Sequence, residues 1–187
     1  MKTTTLFIPE VILIEPQLFE DERGYFYESF NSQQFQRAVN YDKSFVQSNE
    51  SFSKQNSIRG LHYQMGKPQG KLVRAVTGEI FDVAVDLRKA SPTFGQWVGV
   101  ILSEHNHHQL WIPEGFAHGF QVLSKTAIVQ YQVTDYWCPQ FDRCIRYDDA
   151  TLQVNWKRVI VPDVGVIDPI LSDKDRSGRS LDQAEVF

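Results

Sequence analysis

Short runs of β-branched and aromatic residues, each bounded by turn-forming residues, constrain the fold of this 187-residue chain more than any other feature. Such runs are typical of strands in an antiparallel sandwich or barrel, so the chain is predicted to have an all-β body. Thr77-Gly78 between two runs predicts a tight hairpin, because glycine supplies the positive φ of such a turn. The predicted strands cover residues 11–16, 24–30, 45–51, 57–64, 71–76, 79–87, 96–102, 109–112, 119–123 and 127–133.

One helix is predicted among these strands, over residues 32–39. Asn31 can cap it, and Phe35, Ala38 and Val39 follow at helical spacing, which indicates a packing role. After residue 139 the strand alternation fades, and neither a linker nor an internal repeat divides the chain. We therefore expect one domain over residues 1–187, with a β-barrel core and a looser C-terminal segment from about residue 139.

Composition and charge restrict the compartment and the partners. A hydrophobic fraction of 42% fits a packed globular protein, and the net charge of -4 offers no basic stripe for nucleic acid. Pro9, Glu10 and Glu15 interrupt the apolar N-terminus, so neither a signal peptide nor a membrane span is expected. Cys138 and Cys144 form no C-x-x-C pair, which indicates reduced thiols. The protein is predicted to be cytoplasmic.

Polar and charged side chains crowd into two segments, residues 57–64 and 69–74, that otherwise have the pattern of buried strands. Arg59, His62 and Lys71 are the groups of greatest chemical interest there. Because burying such groups is costly unless each has a partner or a ligand, the cluster predicts a functional site.

Strand phase suggests how these groups are arranged. Gln47 and Asn49 share one face of their strand, and the phase alone leaves open whether that face lines a cavity or meets solvent. Arg59 and His62 are three residues apart and would face opposite sides of a regular strand. A bulge at Gly60 would bring both into the same cavity, and bulges are common near active sites.

A second polar motif lies at residues 111–120 and places His118 in a P-x-G-x-x-H pattern. This pattern resembles the second motif of the cupin superfamily, which implies a jelly-roll barrel. Metal-binding cupins carry H-x-H in their first motif, whereas this chain has His62-Tyr63-Gln64. His62 and His118 supply only two of the three or four ligands that a stable site needs, so no metal is predicted.

Eight blocks of the sequence occur in the order found in one branch of the cupins, at residues 21–24, 45–49, 58–64, 69–74, 81–88, 91–95, 110–119 and 172–175. This closer resemblance is to the dTDP-4-dehydrorhamnose 3,5-epimerase family. It implies a mainly β, cupin-type jelly-roll barrel with a few short helices, assembled as a homodimer whose N-terminal strands contribute to the neighbouring site. It also implies cofactor-independent inversion of C3 and C5 of dTDP-4-keto-6-deoxyglucose, towards dTDP-L-rhamnose.

The resemblance also assigns catalytic roles that suit the chemistry. Removing a hydrogen beside a ketone requires a base, a cation near the enolate oxygen and an acid across the ring. By resemblance His62 is the base, since imidazole titrates near neutral pH, and Asp175 orients it. Lys71 is the cation at the oxygen, and Tyr131 is the acid on the opposite face.

The remaining predicted contacts bind the nucleotide and the sugars. Arg23, Arg59 and Lys174 suit the diphosphate, although each taken singly could be surface charge. Trp137 occupies a position that stacks on thymine and is commonly tyrosine in relatives. The other predicted substrate contacts are Phe26, Glu28, Gln47, Ser48, Asn49, His118 and Asp142.

Three alternative functions stay open at this point. Related enzymes epimerise a single carbon or shift the ketone along the ring, and they can keep the histidine base. A jelly-roll carbohydrate-binding module would also place amides and aromatic rings in a cavity, but it would need neither a His–Asp pair nor a lysine at a reactive oxygen. A metal-dependent cupin oxygenase is the third alternative.

Overall fold

Two antiparallel sheets form the body of the chain in a computed structural model, which describes residues 1–161 and 165–187. The six-stranded sheet contains, in spatial order, β1 (Lys2–Thr5), β2 (Ile12–Glu15), β10 (Gln109–Ile112), β7 (Lys71–Thr77), β12 (Thr126–Val133) and β5 (Gln47–Lys54). The five-stranded sheet contains β13 (Asp142–Cys144), β6 (Ile58–Gln64), β11 (Phe116–Val122), β8 (Glu79–Asp86) and β9 (Trp97–Ser103).

Small elements complete the fold. Two further antiparallel pairs are β3 (Phe19–Asp21) with β4 (Gly24–Phe26), and β14 (Ile160–Val161) with β15 (Gly165–Val166). The helical elements are α1 (Ser32–Val39), α2 (Asp173–Arg176) and the 3-10 turns Pro139–Phe141 and Leu181–Gln183. This is the mainly β jelly-roll architecture with a few short helices that the sequence predicts.

All ten predicted strands are present, with shifts at their ends. The strand predicted at 24–30 stops at Phe26, and the one predicted at 119–123 begins at Phe116. The sequence did not predict β1, β3, β13, β14 and β15, which are two to four residues long. Their alternation is too short to detect, and β1 is a run of exposed polar residues.

The predicted hairpin at Thr77-Gly78 is wrong. β7 pairs with β10 and β12 in the six-stranded sheet, whereas β8 pairs with β11 and β9 in the other sheet. Gly78 does adopt the predicted positive φ, at +74°. A Cβ atom there would lie 2.2 Å from the carbonyl oxygen of Thr126, so the glycine is required for a crossing between sheets rather than for a hairpin.

Three apolar clusters hold the sheets and their covers together. The largest lies between the two sheets, where Val73, Val129 and Phe120 are buried. On the outer face of the six-stranded sheet, Phe35 from α1 packs against Trp111, which confirms the predicted helix, its Asn31 cap and its packing role. Each apolar side chain buried in this way contributes about 1.5 to 3 kcal/mol to folding.

The C-terminal segment covers the outer face of the five-stranded sheet. Ile145 and Leu181 from this segment pack on Leu61 and Val85 of the sheet. A parallel bridge between Ile145 and Arg179 ties two parts of the segment together. This cover brings α2 to the back of β6, where the site described below is built.

At the other end of the chain, the β3–β4 hairpin is exposed along its whole length. Phe19, Tyr25 and Phe26 each leave more than half of their surface open to solvent. Three large exposed aromatic side chains on one hairpin are typical of an interaction surface. In residues 1–161 and 165–187, no helix combines the length and the apolar character needed to span a bilayer.

Candidate active site

A cavity of about 410 Å³ opens between the two sheets and collects most of the predicted site residues. Both sheets contribute side chains to it, because residues on their facing sides alternate with residues that point outward. The cavity is lined by Gln47, Asn49, Ser51, Arg59, His62, Tyr63, Gln64, Gln69, Lys71, His118, Phe120, Tyr131, Trp137, Asp142 and Lys174.

The bulge predicted at Gly60 is confirmed. Along the β6–β11 ladder His62 pairs with His118 and Arg59 pairs with Phe120, so three steps on β6 match two on β11. Gly60 has a φ of +135°, and a Cβ atom at this position would lie 2.5 Å from the Cα atom of Gly119. The extra residue therefore turns both Arg59 and His62 towards the cavity.

His62 is hydrogen-bonded to a buried carboxylate. Its Nε2 atom lies 2.6 Å from Oδ1 of Asp175, whose side chain is 3% exposed. A carboxylate accepts hydrogen bonds, so Nε2 carries the proton and Nδ1 keeps a free lone pair. Burial lowers the pKa of His62, although the hydrogen bond to Asp175 opposes that shift. The imidazole is consequently neutral near pH 7 and able to accept a proton.

Asp175 is itself held in place by three further contacts. Ser172 caps α2 and accepts a hydrogen bond from the Asp175 amide, while its hydroxyl donates to Oδ2 at 2.6 Å. The amide of Gly60 donates to Oδ1 at 3.3 Å. Burial alone would raise the pKa of Asp175, but hydrogen bonds from His62 and Ser172 outweigh it and hold the pKa at about 2. Asp175 is therefore a fixed anion behind the imidazole.

Lys71 brings a buried cation to the cavity. Lys71 is the first residue of β7 in the six-stranded sheet. Its Nζ atom donates a hydrogen bond to the carbonyl oxygen of His62 at 3.2 Å. Burial lowers the pKa of Lys71 to about 8, which still leaves most of the amine protonated at pH 7. A preorganised cation of this kind can stabilise negative charge that develops on a substrate oxygen.

Tyr131 lies on the wall of the cavity opposite His62. It belongs to β12 in the six-stranded sheet, whereas His62 belongs to β6 in the five-stranded sheet. Burial raises the pKa of Tyr131, so its phenol keeps its proton near neutral pH. A neutral imidazole and a protonated phenol thus line the same cavity from different sheets.

A second histidine–carboxylate pair lies beside the first. Nε2 of His118 is 2.8 Å from Oδ1 of Asp82, and both side chains are almost fully buried. His118 was predicted as a cavity contact, whereas Asp82 was not predicted. Asp82 occurs in a run of buried apolar residues on β8, and a carboxylate in such a run requires a partner, which is the signal that could have identified it.

The predicted amides form a polar chain at one end of the cavity. Nε2 of Gln47 donates to Oδ1 of Asn49 at 2.7 Å, and the Trp137 amide donates to Oε1 of Gln47 at 3.2 Å. The face left open by strand phase is therefore the cavity face. Trp137 lies at the rim with 56% of its surface exposed, which leaves a ring face available for stacking.

Two cations accompany this polar end. Arg59 is anchored through Nε to the hydroxyl of Ser53 at 2.9 Å. Lys174 donates to Oδ2 of Asp142 at 2.5 Å. Both cationic groups line the cavity, and together with Lys71 they give it positive charge suited to phosphate oxygens.

Four predicted contacts do not reach the cavity of their own chain. Ser48 lies between Gln47 and Asn49 on β5 and points to the opposite side of the strand. Arg23 pairs with Asp21 in the exposed β3–β4 hairpin. Phe26 is 68% exposed in the same hairpin, and Glu28 accepts hydrogen bonds from Asn31 and Gln34.

Other residues of the site were not in the predicted set. Ser172 and Cys144 lie next to Asp175, and Ser172 is recognisable from sequence only as a helix cap. Gln64 and Gln69 belong to the polar cluster but had no assigned role. The cavity also contains Ser51, Tyr63 and Phe120, whose types give no signal of a site.

The structure changes the inventory of possible metal ligands. Among the described residues, one group of three metal-binding side chains lies close together: His62, Cys144 and Asp175, with ligand atoms within 4.8 Å of one another. The sequence had suggested His62 with His118, but each of these histidines has a carboxylate of its own.

Known proteins similar to this chain belong to a family of sugar-nucleotide epimerases. A family profile described as dTDP-4-dehydrorhamnose 3,5-epimerase matches residues 5–183. The chain is 52% identical over 187 residues to a dTDP-4-dehydrorhamnose 3,5-epimerase of Pseudomonas aeruginosa, covering 100% of this chain and 99% of the relative.

Solved structures extend the comparison to the fold. A dTDP-6-deoxy-D-glucose-3,5-epimerase from Legionella pneumophila, in complex with dTDP-4-keto-L-rhamnose, superposes with a TM-score of 0.92 at 45% identity over 98% of this chain and 94% of that one. A 3'-monoepimerase from Streptomyces bikiniensis, in complex with dTDP-quinovose, gives a TM-score of 0.85 at 30% identity over 96% of this chain and 87% of that one.

Proposed function

The chain belongs to the dTDP-4-dehydrorhamnose 3,5-epimerase family, and we propose that it converts dTDP-4-keto-6-deoxy-D-glucose to dTDP-4-keto-L-rhamnose by inverting C3 and C5. It is an isomerase that acts on a sugar nucleotide in dTDP-L-rhamnose biosynthesis. One observation carries the proposal: a neutral His62, oriented by Asp175, and the protonated Tyr131 lie on different walls of one cavity.

The first step is proton abstraction next to the ketone. Nδ1 of His62 takes the hydrogen from carbon, and the resulting imidazolium donates from Nε2 to the fixed Asp175 anion. The electron pair moves onto the ketone oxygen, where Lys71 stabilises the enolate. Removing one such preorganised donor costs about 3 to 4 kcal/mol of barrier.

The second step returns a proton from the other side. Tyr131 donates to the enolate carbon from the six-stranded sheet, while the original proton stays on His62 in the five-stranded sheet. The carbon is therefore inverted. His62 then releases the abstracted proton to solvent, and the Tyr131 phenolate regains one from solvent. Repeating the two steps at the second carbon flanking the ketone gives the double epimer, and none of these steps requires a cofactor.

The nucleotide half of the substrate accounts for the rest of the cavity. We assign Arg59 and Lys174 to the diphosphate, Trp137 to stacking on thymine, and His118 to a polar contact with the sugar. Gln47, Asn49 and Asp142 provide further hydrogen bonds to the nucleotide and sugars. The support for these assignments is that all of these side chains line the same cavity as His62.

A homodimer would account for the remaining predicted contacts. Arg23, Phe26 and Glu28 lie outside the cavity of their own chain, and the hairpin that bears the first two is exposed and aromatic. We propose that this hairpin reaches into the cavity of a second copy, where Arg23 binds the diphosphate and Phe26 adds an apolar wall. We also propose that Ser48 makes a weaker contact with the substrate in the cavity of the second copy.

Hybrid dimers test this arrangement. Co-expression of Arg23→Ala and His62→Asn chains gives hybrids in which one site has both defects and the other has neither, provided that Arg23 acts on the partner's site. Activity should then recover to about a quarter of the wild-type value, since half of the dimers are hybrids. No recovery above the two separate variants would mean that Arg23 serves its own chain.

We also propose that residues 1–187 form a single domain and that the protein works in the cytoplasm. Two free cysteines near the cavity suit a reducing compartment.

Deuterium labelling tests the main proposal. The protein is incubated with dTDP-4-keto-6-deoxyglucose in heavy water, and each ring position is followed by NMR. Label at both flanking carbons together with inverted configuration at C3 and C5, both lost in His62→Asn, is the expected result. Undiminished turnover by His62→Asn would refute His62 as the base.

The same experiment decides the second candidate function, a single epimerisation. The observation in its favour is that a 3'-monoepimerase shares this fold with a TM-score of 0.85, so the fold alone does not fix how many carbons are inverted. Label at one carbon would select that function, and no label at either carbon would favour a carbohydrate-binding role.

A further inference from the structure

Cys144 lies directly beside the His62–Asp175 pair but has no role in the proposed reaction. It pairs with His62 in the β13–β6 ladder, so the two residues are cross-strand neighbours. Its Sγ atom is 3.9 Å from Oδ1 of Asp175, and the ligand atoms of all three residues lie within 4.8 Å of one another. A thiol, an imidazole and a carboxylate are thus gathered at the back of the cavity.

The spacing of these atoms is close to that of a tetrahedral metal site. With bonds of about 2.0 Å to nitrogen or oxygen and 2.3 Å to sulfur, tetrahedral ligand atoms are separated by about 3.3 to 3.5 Å. The Nε2–Oδ1 distance of 2.6 Å needs to open by less than 1 Å, and the Sγ–Oδ1 distance of 3.9 Å needs to shorten slightly. The widest separation within the group, which reaches up to 4.8 Å, needs to shorten by about 1.3 Å. Side-chain rotation supplies shifts of this size.

The ligand types select the class of cation. One thiolate, one imidazole nitrogen and one carboxylate oxygen suit Zn²⁺ or Co²⁺, whereas Mg²⁺ and Ca²⁺ prefer oxygen ligands alone. The bound thiol releases its proton to solvent, and the charges of Cys144 and Asp175 then balance the divalent cation. Lys71 and Lys174 lie nearby and oppose a cation, so the affinity should be weaker than that of closed structural zinc sites.

We propose that His62, Cys144 and Asp175 form an inhibitory site for Zn²⁺ and similar borderline cations. The inhibition follows from the tautomer of His62. A cation on Nε2 displaces the proton that Asp175 normally accepts, and the neutral ring then carries its proton on Nδ1. Nδ1 thereby loses the lone pair that the reaction needs, and Asp175 no longer orients the ring.

The cation has a path to this site through the cavity. The His62 side chain is 30% exposed there, while Asp175 is buried and Cys144 is half-buried behind it. A bound substrate would cover His62 and hinder entry, so substrate and cation should compete. The metal site itself does not depend on the identity of the substrate, whereas the inhibition rests on the proposed epimerase function.

Cobalt is the direct probe, because tetrahedral Co²⁺ bound to a thiolate has visible d–d bands and an intense near-ultraviolet charge-transfer band. The substrate-free wild-type protein titrated with Co²⁺ should show both. Cys144→Ser should lose the charge-transfer band, whereas Cys138→Ser, which changes the other cysteine outside the group, should keep it. Absence of the band in the wild type, or its persistence in Cys144→Ser, would overturn the site.

Zinc inhibition is the functional arm. Zn²⁺ should inhibit the wild type and Cys138→Ser competitively and reversibly on addition of EDTA, and at least tenfold more Zn²⁺ should be needed for Cys144→Ser. Equal inhibition of all three proteins would overturn the inhibitory role. If the protein lacked epimerase activity altogether, the cobalt spectrum would still decide the site. If Cys144→Ser failed to fold by circular dichroism, Cys144→Ala would replace it in both arms.

Discussion

Replacing Tyr131 with phenylalanine should separate proton abstraction from inversion. The substitution removes only the phenolic hydroxyl, and the ring keeps its place in β12. No hydrogen bond to this hydroxyl is found within the described residues, so its removal leaves no other buried group without a partner. The free energy of unfolding should therefore change by less than about 0.5 kcal/mol.

The effect on the reaction should be much larger. A positioned general acid contributes about 10² to 10⁴ in rate, which corresponds to about 3 to 5 kcal/mol of barrier. Burial raises the pKa of Tyr131, so the wild-type phenol is fully protonated at pH 7 and the entire contribution is available to lose. His62 and Asp175 are unchanged in the variant, so abstraction should continue.

Deuterium incorporation distinguishes the two steps. In heavy water the Tyr131→Phe protein should exchange the hydrogens beside the ketone, while formation of the inverted product falls by about 10² to 10⁴. NMR of the recovered sugar nucleotide measures exchange and configuration in one sample. Product formation at the wild-type rate would refute Tyr131 as the acid, and loss of exchange would show that the tyrosine acts in abstraction.

Tyr63 provides a matched control on β6, where its ring packs against Phe187 in the C-terminal cover. Its hydroxyl donates to the carbonyl oxygen of Glu185 at 2.7 Å, which gives it a structural partner that Tyr131 lacks. Tyr63→Phe should cost about 1 kcal/mol in the free energy of unfolding and leave product formation within a few-fold of the wild type. A large kinetic loss in this control would mean that removing a buried structural hydroxyl also lowers the rate, and the assignment of Tyr131 would lose its support.

Three further predictions address the site and its frame. Gly60→Ala should lower both the melting temperature and kcat, because the added Cβ would lie 2.5 Å from Gly119 Cα; a fully active, stable variant would contradict the role of the bulge. Lys71→Gln should lower kcat by about 10² to 10³, because the cation at the enolate oxygen is lost. The free energy of unfolding should not fall, because the substitution removes a buried charge; kinetics and urea denaturation measure the two effects. Burial would raise the pKa of Asp86, but hydrogen bonds from Arg88, Ser91 and Thr93 outweigh it and hold the pKa at about 2. The lowered pKa adds about 2 kcal/mol to the free energy of unfolding above pH 4, and this contribution is lost between pH 4 and pH 2. Denaturation across that range should show a loss about 2 kcal/mol larger in the wild type than in Asp86→Asn, because Asp175, whose pKa is also about 2, adds its own loss in both proteins.

The strands and the helix could be predicted because their signals are local. β-branched runs, turn residues and the Asn31 cap each act within a few residues of the element they define. The hairpin at Thr77-Gly78 was mispredicted for the same reason. Glycine reports the backbone conformation of the turn correctly, but the choice of pairing partner depends on strands about 50 residues away, such as β12.

The site depends on contacts that local patterns do not contain. His62 and Asp175 are separated by 113 residues, and they meet only because the C-terminal cover brings α2 to the back of β6. The pairing of His62 with Asp175 could be predicted only from the family resemblance. Such a resemblance matches distant segments of sequence but gives no physical reason for their contact. Cys144 shows the limit of this approach. It lies in no matching block and was read as an ordinary thiol, yet the ladder between β13 and β6 places it opposite His62. Because only the structure shows that Cys144 lies beside the catalytic pair, the proposed sensitivity of His62 to metal ions had to be inferred from the structure.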